Sequence, residues 1–269
     1  MRARLFRSIL SIETRKLLSY RADFWINSLV GSLAGFALVY LLWAAIFQAP
    51  EQRIGGYSFE GMVLYYALAI LVGRLVTGPN NPTEVAQDIY EGALTRYLLF
   101  PAPYAMVKYA QHIGLLLPSL IQLTLLWGVY LAFMPYPEEI SIAPLSILLT
   151  LISLAVANAL YYAMSTLLQL VGFWADNVWS LVVMLIFAGR FLGGAMIPLD
   201  VFPEAVRPWL AALPFRYLYG FPIDTLMGRI PPAEWAAGLV VSLLWLGVIS
   251  LAWRAVWRRG MLQYTGVGI

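Results

Sequence analysis

The chain has 269 residues, 61% of them hydrophobic and only 12% charged, with a mean hydropathy of +0.77. A soluble domain carries about a quarter charged residues, so this composition excludes a soluble globular protein and indicates an integral membrane protein. Its 17 basic and 14 acidic residues leave a net charge of +3, too small an excess to point to nucleic-acid binding, and without cysteine there are no disulfides or thiolate metal sites.

In chain order, residues 1–22 are predicted to form an amphipathic helix. In RLFRSILSIETRKLLSY, Leu5, Ile9, Ile12 and Leu17 line one side, and Arg4, Arg7, Arg15 and Lys16 occupy much of the rest. That pattern suits a helix lying on the membrane surface. Uncharged runs then predict six spans, over 24–47, 59–77, 106–134, 143–174, 177–199 and 235–256. Glu60 and Arg74 fall near the ends of the second, where an arginine stem can snorkel. Pro118 is expected to bend the third. The uncharged run from Ile140 to Trp174 is too short for two spans and a turn, so it reads as one long, tilted helix starting near Pro144. Tryptophans at predicted span ends, such as Trp25, Trp174, Trp235 and Trp253, read as interfacial belts.

Orientation follows the arginines and lysines. Arg2, Arg4, Arg7, Arg15, Lys16 and Arg21 precede the first span, and Arg254, Arg258 and Arg259 follow the last. Both termini are therefore expected in the cytoplasm, which agrees with an even number of spans in the cell (inner or plasma) membrane. The segment around Glu138 and Glu139 carries no base, as an outside loop should. Segment 200–232 is assigned outside although it holds Arg207, Arg216 and Arg229, because nearby acids (Asp200, Glu204, Asp224 and Glu234) offset them.

The loop between spans two and three then faces the cytoplasm. A helix is predicted over 84–99, with Thr83 as N-cap and Glu84 in its first turn. Val85, Ile89, Tyr90, Leu94 and Leu98 recur at helical spacing to form one apolar stripe, flanked by Glu91 and Arg96. Gly92 costs such a helix about 1 kcal/mol relative to alanine and permits a bend or a close approach. From the residues alone, the helix could seal the bundle or serve as a contact for a partner.

These residues carry a resemblance. The pattern Ile89, Gly92, Leu94, Leu98, Leu99 and Pro101 in IYEGALTRYLLFPAP resembles the coupling segment of type-2 ABC exporter permeases. The stretch GGAMIPLDVFPEAVRPWLAALPFRYLYGFPIDTLMG, from Gly193 to Gly228, is similar to that family's outer segment, in which two short helices precede the last span. The N-terminal amphipathic helix resembles its connecting helix. The tail WRRGMLQYTGVGI resembles the ending of a six-span subgroup in which two different permeases often share one ATPase. The resemblance implies an all-α permease with six transmembrane helices and an ATPase-coupling contact through Ile89, Glu91, Gly92, Leu94, Arg96 and Leu98. The partners implied are cytoplasmic ABC ATPase subunits, which would bind ATP and magnesium, and a second permease chain, the same or a sister. Two small-xxx-small patterns, Gly31 with Gly35 and Gly189 with Gly193, permit close helix packing, and the resemblance places spans one and five at the permease dimer interface.

Absences bear on the same reading. Lys16 and Lys108 are the only lysines, and neither ends a glycine-rich phosphate loop, so the chain is not expected to hydrolyse ATP itself or to carry a cofactor. No acid lies deep in a span, which argues against a secondary transporter, and a single histidine argues against a membrane-embedded metalloenzyme. Gln122, Asn158, Tyr161, Tyr162 and Gln169 read as interhelical hydrogen-bonding groups or as a substrate path. His112 reads as structural. Arg190, the one charge well inside a span, faces a dimer interface or the outer mouth of the path, or snorkels toward Asp200 or Asp224. The expected function is export of a hydrophobic or amphipathic substrate such as a drug, antibiotic, lipid or peptide. The alternatives are a non-transporting membrane subunit and a secondary transporter.

Overall fold

The computed structural model describes residues 2–19, 21–49, 51–78, 81–133, 137, 140 and 142–265. Glu138, Glu139 and the side chains of Lys16, Leu17, Trp25, Pro118 and Gln122 lie outside the description. Among the described residues the regular structure is helical, apart from one isolated bridge between Ile54 and Tyr57.

The N-terminal helix α1 (Arg2–Ser19) packs along the long α6 (Tyr104–Phe133). Gly114 makes this possible, since a Cβ there would lie 3.0 Å from both the Leu10 carbonyl oxygen and Glu13 Cβ. The Thr14 hydroxyl donates to the Gly114 carbonyl at 2.9 Å. The expected surface helix is thus mounted on a span as well as being amphipathic.

Helix α2 (Arg21–Ile46) leans on α3 (Phe59–Thr77), the centre of the bundle, where Met62, Leu64, Leu68, Val72 and Val76 are wholly buried. Such an apolar helix, covered on most sides, is stable only as an inner member of a bundle. Ser58 caps its start by accepting from the Gly61 amide at 3.0 Å. Gly78 ends it with φ 71°, and a Cβ there would stand 2.7 Å from the His112 ring. Two short helices follow, α4 (Glu84–Tyr90) and α5 (Leu94–Leu98). The uncharged run forms one helix, α7 (Pro144–Gln169), started by a proline in its first turn and continued by a 3-10 turn over Leu170–Phe173.

Helix α8 (Trp179–Leu192) differs from the predicted 177–199 span. Its 14 residues extend only about 21 Å, less than the ~30 Å hydrocarbon core. It stops because Gly193 is wedged against the Gly189 and Phe215 carbonyls and Gly194 turns the chain at φ 95°. The turn's buried carbonyl is satisfied by the Tyr65 hydroxyl at 2.8 Å. A cap follows, built from a 3-10 turn (Leu199–Val201), α9 (Arg207–Ala212), a second 3-10 turn (Pro214–Leu218) and α10 (Gly220–Leu226), before the last helix α11 (Pro232–Met261). Helix α3, α7 with its 3-10 extension, and α11 are each long and apolar enough to cross a membrane. The molecule therefore has a terminal pole, where α1, α4, α5 and the end of α11 gather, and an opposite cap pole.

Candidate functional site

At the terminal pole the segment predicted as one helix over 84–99 is two. Gly92 adopts φ 69°, a left-handed conformation that interrupts the helix, and α4 and α5 meet there as an elbow. The apolar stripe turns inward rather than outward. Ile89 and Leu94 are 2% and 0% exposed and pack with Val85, Tyr97, Tyr104 and Phe173 in a small core of their own. An unbroken helix could not press both halves of the stripe onto the curved end of the bundle; a kinked one can. The exposed side of the elbow consists of Glu91, Thr95, Arg96, Leu98, Leu99 and Phe100, with Leu99 83% exposed.

Three other parts of the chain hold the elbow. The first is α7, whose Gln169 Oε1 accepts from the amides of Val85 at 2.8 Å and Ala86 at 3.4 Å. It thereby satisfies amides that the first turn of α4 leaves open. Thr83 occupies the N-cap position without a side-chain cap bond; its own amide and hydroxyl are tied to Asn81 Oδ1. The second is α6, which sends the buried Lys108 to Glu84 and, at 2.9 Å, to Asp88. Asp88 also accepts from the Tyr104 hydroxyl at 2.7 Å, so each buried charge has a partner and hydrogen bonds, as burial requires. The third is the C-terminal segment. The Tyr264 hydroxyl donates to the Gly92 carbonyl at 2.9 Å and accepts from the Thr95 amide at 3.1 Å. Behind it Trp253, Trp257 and Tyr104 stack at centroid spacings of 5.0 and 5.1 Å. Helix ends from across the chain thus converge on one kink. The Lys108 and Tyr264 contacts link residues 24 and 172 positions apart, and periodicity along the chain does not report such distant partners.

Four of the residues singled out as a path come together. Tyr161, Tyr162, Gln169 and Arg190 line one cavity of about 160 Å³ beside α4, along with Glu84 and Lys108. Asn158 instead ties spans, donating to the Leu75 carbonyl at 3.0 Å and meeting His112 Nε2 at 2.9 Å, with the Tyr109 hydroxyl on its oxygen. His112 is thereby tied to α7, and it also lines the same cavity. Arg190 does not take Asp200, which pairs with Arg229 at 3.0 Å. The two glycine pairs also separate. Gly189 and Gly193 pack inside the chain against Leu218 and Tyr219, whereas Gly35 has nothing within 4 Å of a would-be Cβ and Gly31 only an Arg74 nitrogen at 3.8 Å.

At the cap pole Tyr57 bridges two acids, its hydroxyl 3.5 Å from Asp200 and 3.4 Å from Asp224, with Arg229 over its ring at 4.0 Å. Burial, reinforced by the charge of Asp200, pushes the Asp224 carboxyl up to about 7, although Arg229, Arg216 and the Tyr57 hydrogen bond pull the other way. A carboxyl with a folded-state pKa above its unfolded one binds its proton more tightly when folded, so this site contributes stability at low pH that is lost as pH rises from about 4 to about 7. Thermal unfolding of the purified protein at pH 5 and pH 7.5 is expected to show a less stable protein at the higher pH. Asp224→Asn should narrow that difference, and an unchanged difference would contradict the assignment.

The helices, the apolar surface and the braced elbow define a polytopic all-α membrane protein. The family model described as ABC-2 family transporter protein matches residues 33–268, and the chain belongs to that family. Members are membrane components of ABC transporters, which in general associate with ABC ATPase subunits. No curated protein matches the chain.

Proposed function

We propose that this chain is the permease subunit of an ATP-driven exporter and that the α4–α5 elbow is where a separate ATPase docks and transmits its movement. The observation that carries this reading is the bracing. A loop that only sealed the bundle has no need of a buried ion pair, an amide cap from α7 and a tyrosine latch from the tail, all on one kink. Rigid mounting is what force transmission requires. The docking surface is the exposed rim of Glu91, Arg96, Leu98, Leu99 and Phe100, with Ile89, Leu94 and Gly92 shaping it from beneath. An aspartate at Leu99 should weaken co-purification of the partner ATPase while leaving the permease intact; unaltered recovery of the ATPase would argue for a membrane seal instead.

The substrate is read as hydrophobic or amphipathic. The cavity beside α4 is lined by polar and charged groups, Tyr161, Tyr162, Gln169 and Arg190 with Glu84 and Lys108, within an otherwise apolar bundle, so it would take the polar end of such a molecule. A second permease, the same chain or a sister, is read onto the exposed face of α2, where Gly31 and Gly35 leave room for a partner helix. Gly35→Leu is expected to lower the recovery of dimers on size-exclusion chromatography without loss of monomer, and full recovery would remove Gly35 from the interface.

Both termini are read as cytoplasmic. With cysteine introduced at Ser8 or Leu262, both exposed at the terminal pole, a membrane-impermeant thiol reagent applied to intact cells should not label the protein. Cysteine at the exposed Ala205 of the cap should label. The opposite pattern would invert the orientation and, with it, the docking site.

A further inference from the structure

We propose that a groove between α6 and α11 binds an anionic phospholipid from the leaflet nearest the chain termini. The groove has a volume of about 550 Å³, within the range of sites that bury small ligands. Helix α7 lies against α11, and Ala159 and Ala163, one helical turn apart on α7, help form the lining because their side chains are too small to fill the space. Tyr109 lines it from α6, and Leu246 and Trp253 from α11. The lining is apolar almost throughout, and α7 and α11 are both of membrane-crossing length and hydropathy.

One charge commits the groove to a particular occupant. Arg254 lines it near the last turns of α11, is exposed, and has no carboxylate partner among the described residues. An apolar slot with an exposed guanidinium at the terminal pole matches the pattern of a phospholipid, with acyl chain along the alanines and phosphate on the arginine. Basic positions between membrane helices at this level bind anionic headgroups in the same way. An adjoining hollow of about 360 Å³ shares Tyr104 and Trp253 and reaches Leu98, so a lipid seated here would also touch the flank of the elbow.

The test uses the full-length chain reconstituted in nanodiscs of equal phosphatidylcholine and phosphatidylglycerol, released into mild detergent and weighed by native mass spectrometry. Wild type should retain phosphatidylglycerol over phosphatidylcholine by about fivefold, the ratio equivalent to the ~1 kcal/mol of one arginine at a membrane surface. Arg254→Gln should bring the ratio to about one without reducing total lipid, and Arg254→Lys should keep the preference. Ala163→Phe, which fills the slot, should reduce retention of both lipids. An unchanged preference in Arg254→Gln, or wild-type retention in Ala163→Phe, would overturn the proposal. Arg254 is exposed, so its variants decide the matter even if Ala163→Phe does not fold. The readout involves no ATPase, so it succeeds or fails independently of the docking reading.

Discussion

Lys108→Met is expected to collapse the elbow and with it the stability of the terminal pole. Lys108 is 3% exposed and faces two carboxylates, Glu84 and Asp88, of which Asp88 is 8% exposed. Removing one partner of a buried pair leaves the other's charge without compensation, a loss of about 3–5 kcal/mol. Glu84 can turn toward water, being 36% exposed, but Asp88 cannot and keeps only the exposed Arg96 at 4.0 Å, so the loss centres on Asp88 and on the Tyr104 hydroxyl bonded to it. This names its own control. In the double variant Lys108→Met, Asp88→Leu the buried charge is gone from both sides, and replacing such a pair by apolar groups is often neutral. Thermal unfolding followed by tryptophan fluorescence should show a marked drop for the single variant and substantial recovery for the double one. Equal instability of the two would mean that the pair does not brace the elbow.

The elbow also shows what was legible in the sequence and what was not. The all-α membrane architecture was, because composition and long uncharged runs report it directly. A helical segment after Thr83 with a flaw at Gly92 was also visible from periodicity. Its shape was not: a glycine in a helical pattern signals only that a kink is allowed, and whether the kink forms depends on what grips both sides. Here the grips are Gln169, Lys108 and Tyr264, whose partners lie far along the chain. The direction of the stripe is hidden from the sequence for the same reason. Ile89 and Leu94 look like a contact surface when the loop is taken alone, but the 3-10 turn after α7 and the stacked aromatics of α11 provide an apolar bed inside the same chain. The fifth helix ends at Leu192 although 177–199 contains only one charge, because its end is set by the close approach of the Phe215 carbonyl to Gly193. Gly189 and Gly193 accordingly serve this internal turn, whereas the equally spaced Gly31 and Gly35 stay open on α2.

Leu99→Asp in the assembled transporter is expected to uncouple the permease from its ATPase. Leu99 is 83% exposed on the rim of the elbow, beside Leu98 and Phe100, and makes none of the bracing contacts, so its loss should leave the fold intact. At a docked interface the new carboxylate would be buried without a partner, and a charge left so typically weakens a contact by several kcal/mol. The measurement is substrate-stimulated ATP hydrolysis together with transport, in proteoliposomes whose permease content matches wild type. Both are expected to fall to about a hundredth of the wild-type values, as ~3 kcal/mol at such a contact would produce. Hydrolysis and transport at wild-type levels with Leu99→Asp in place would contradict docking at the elbow.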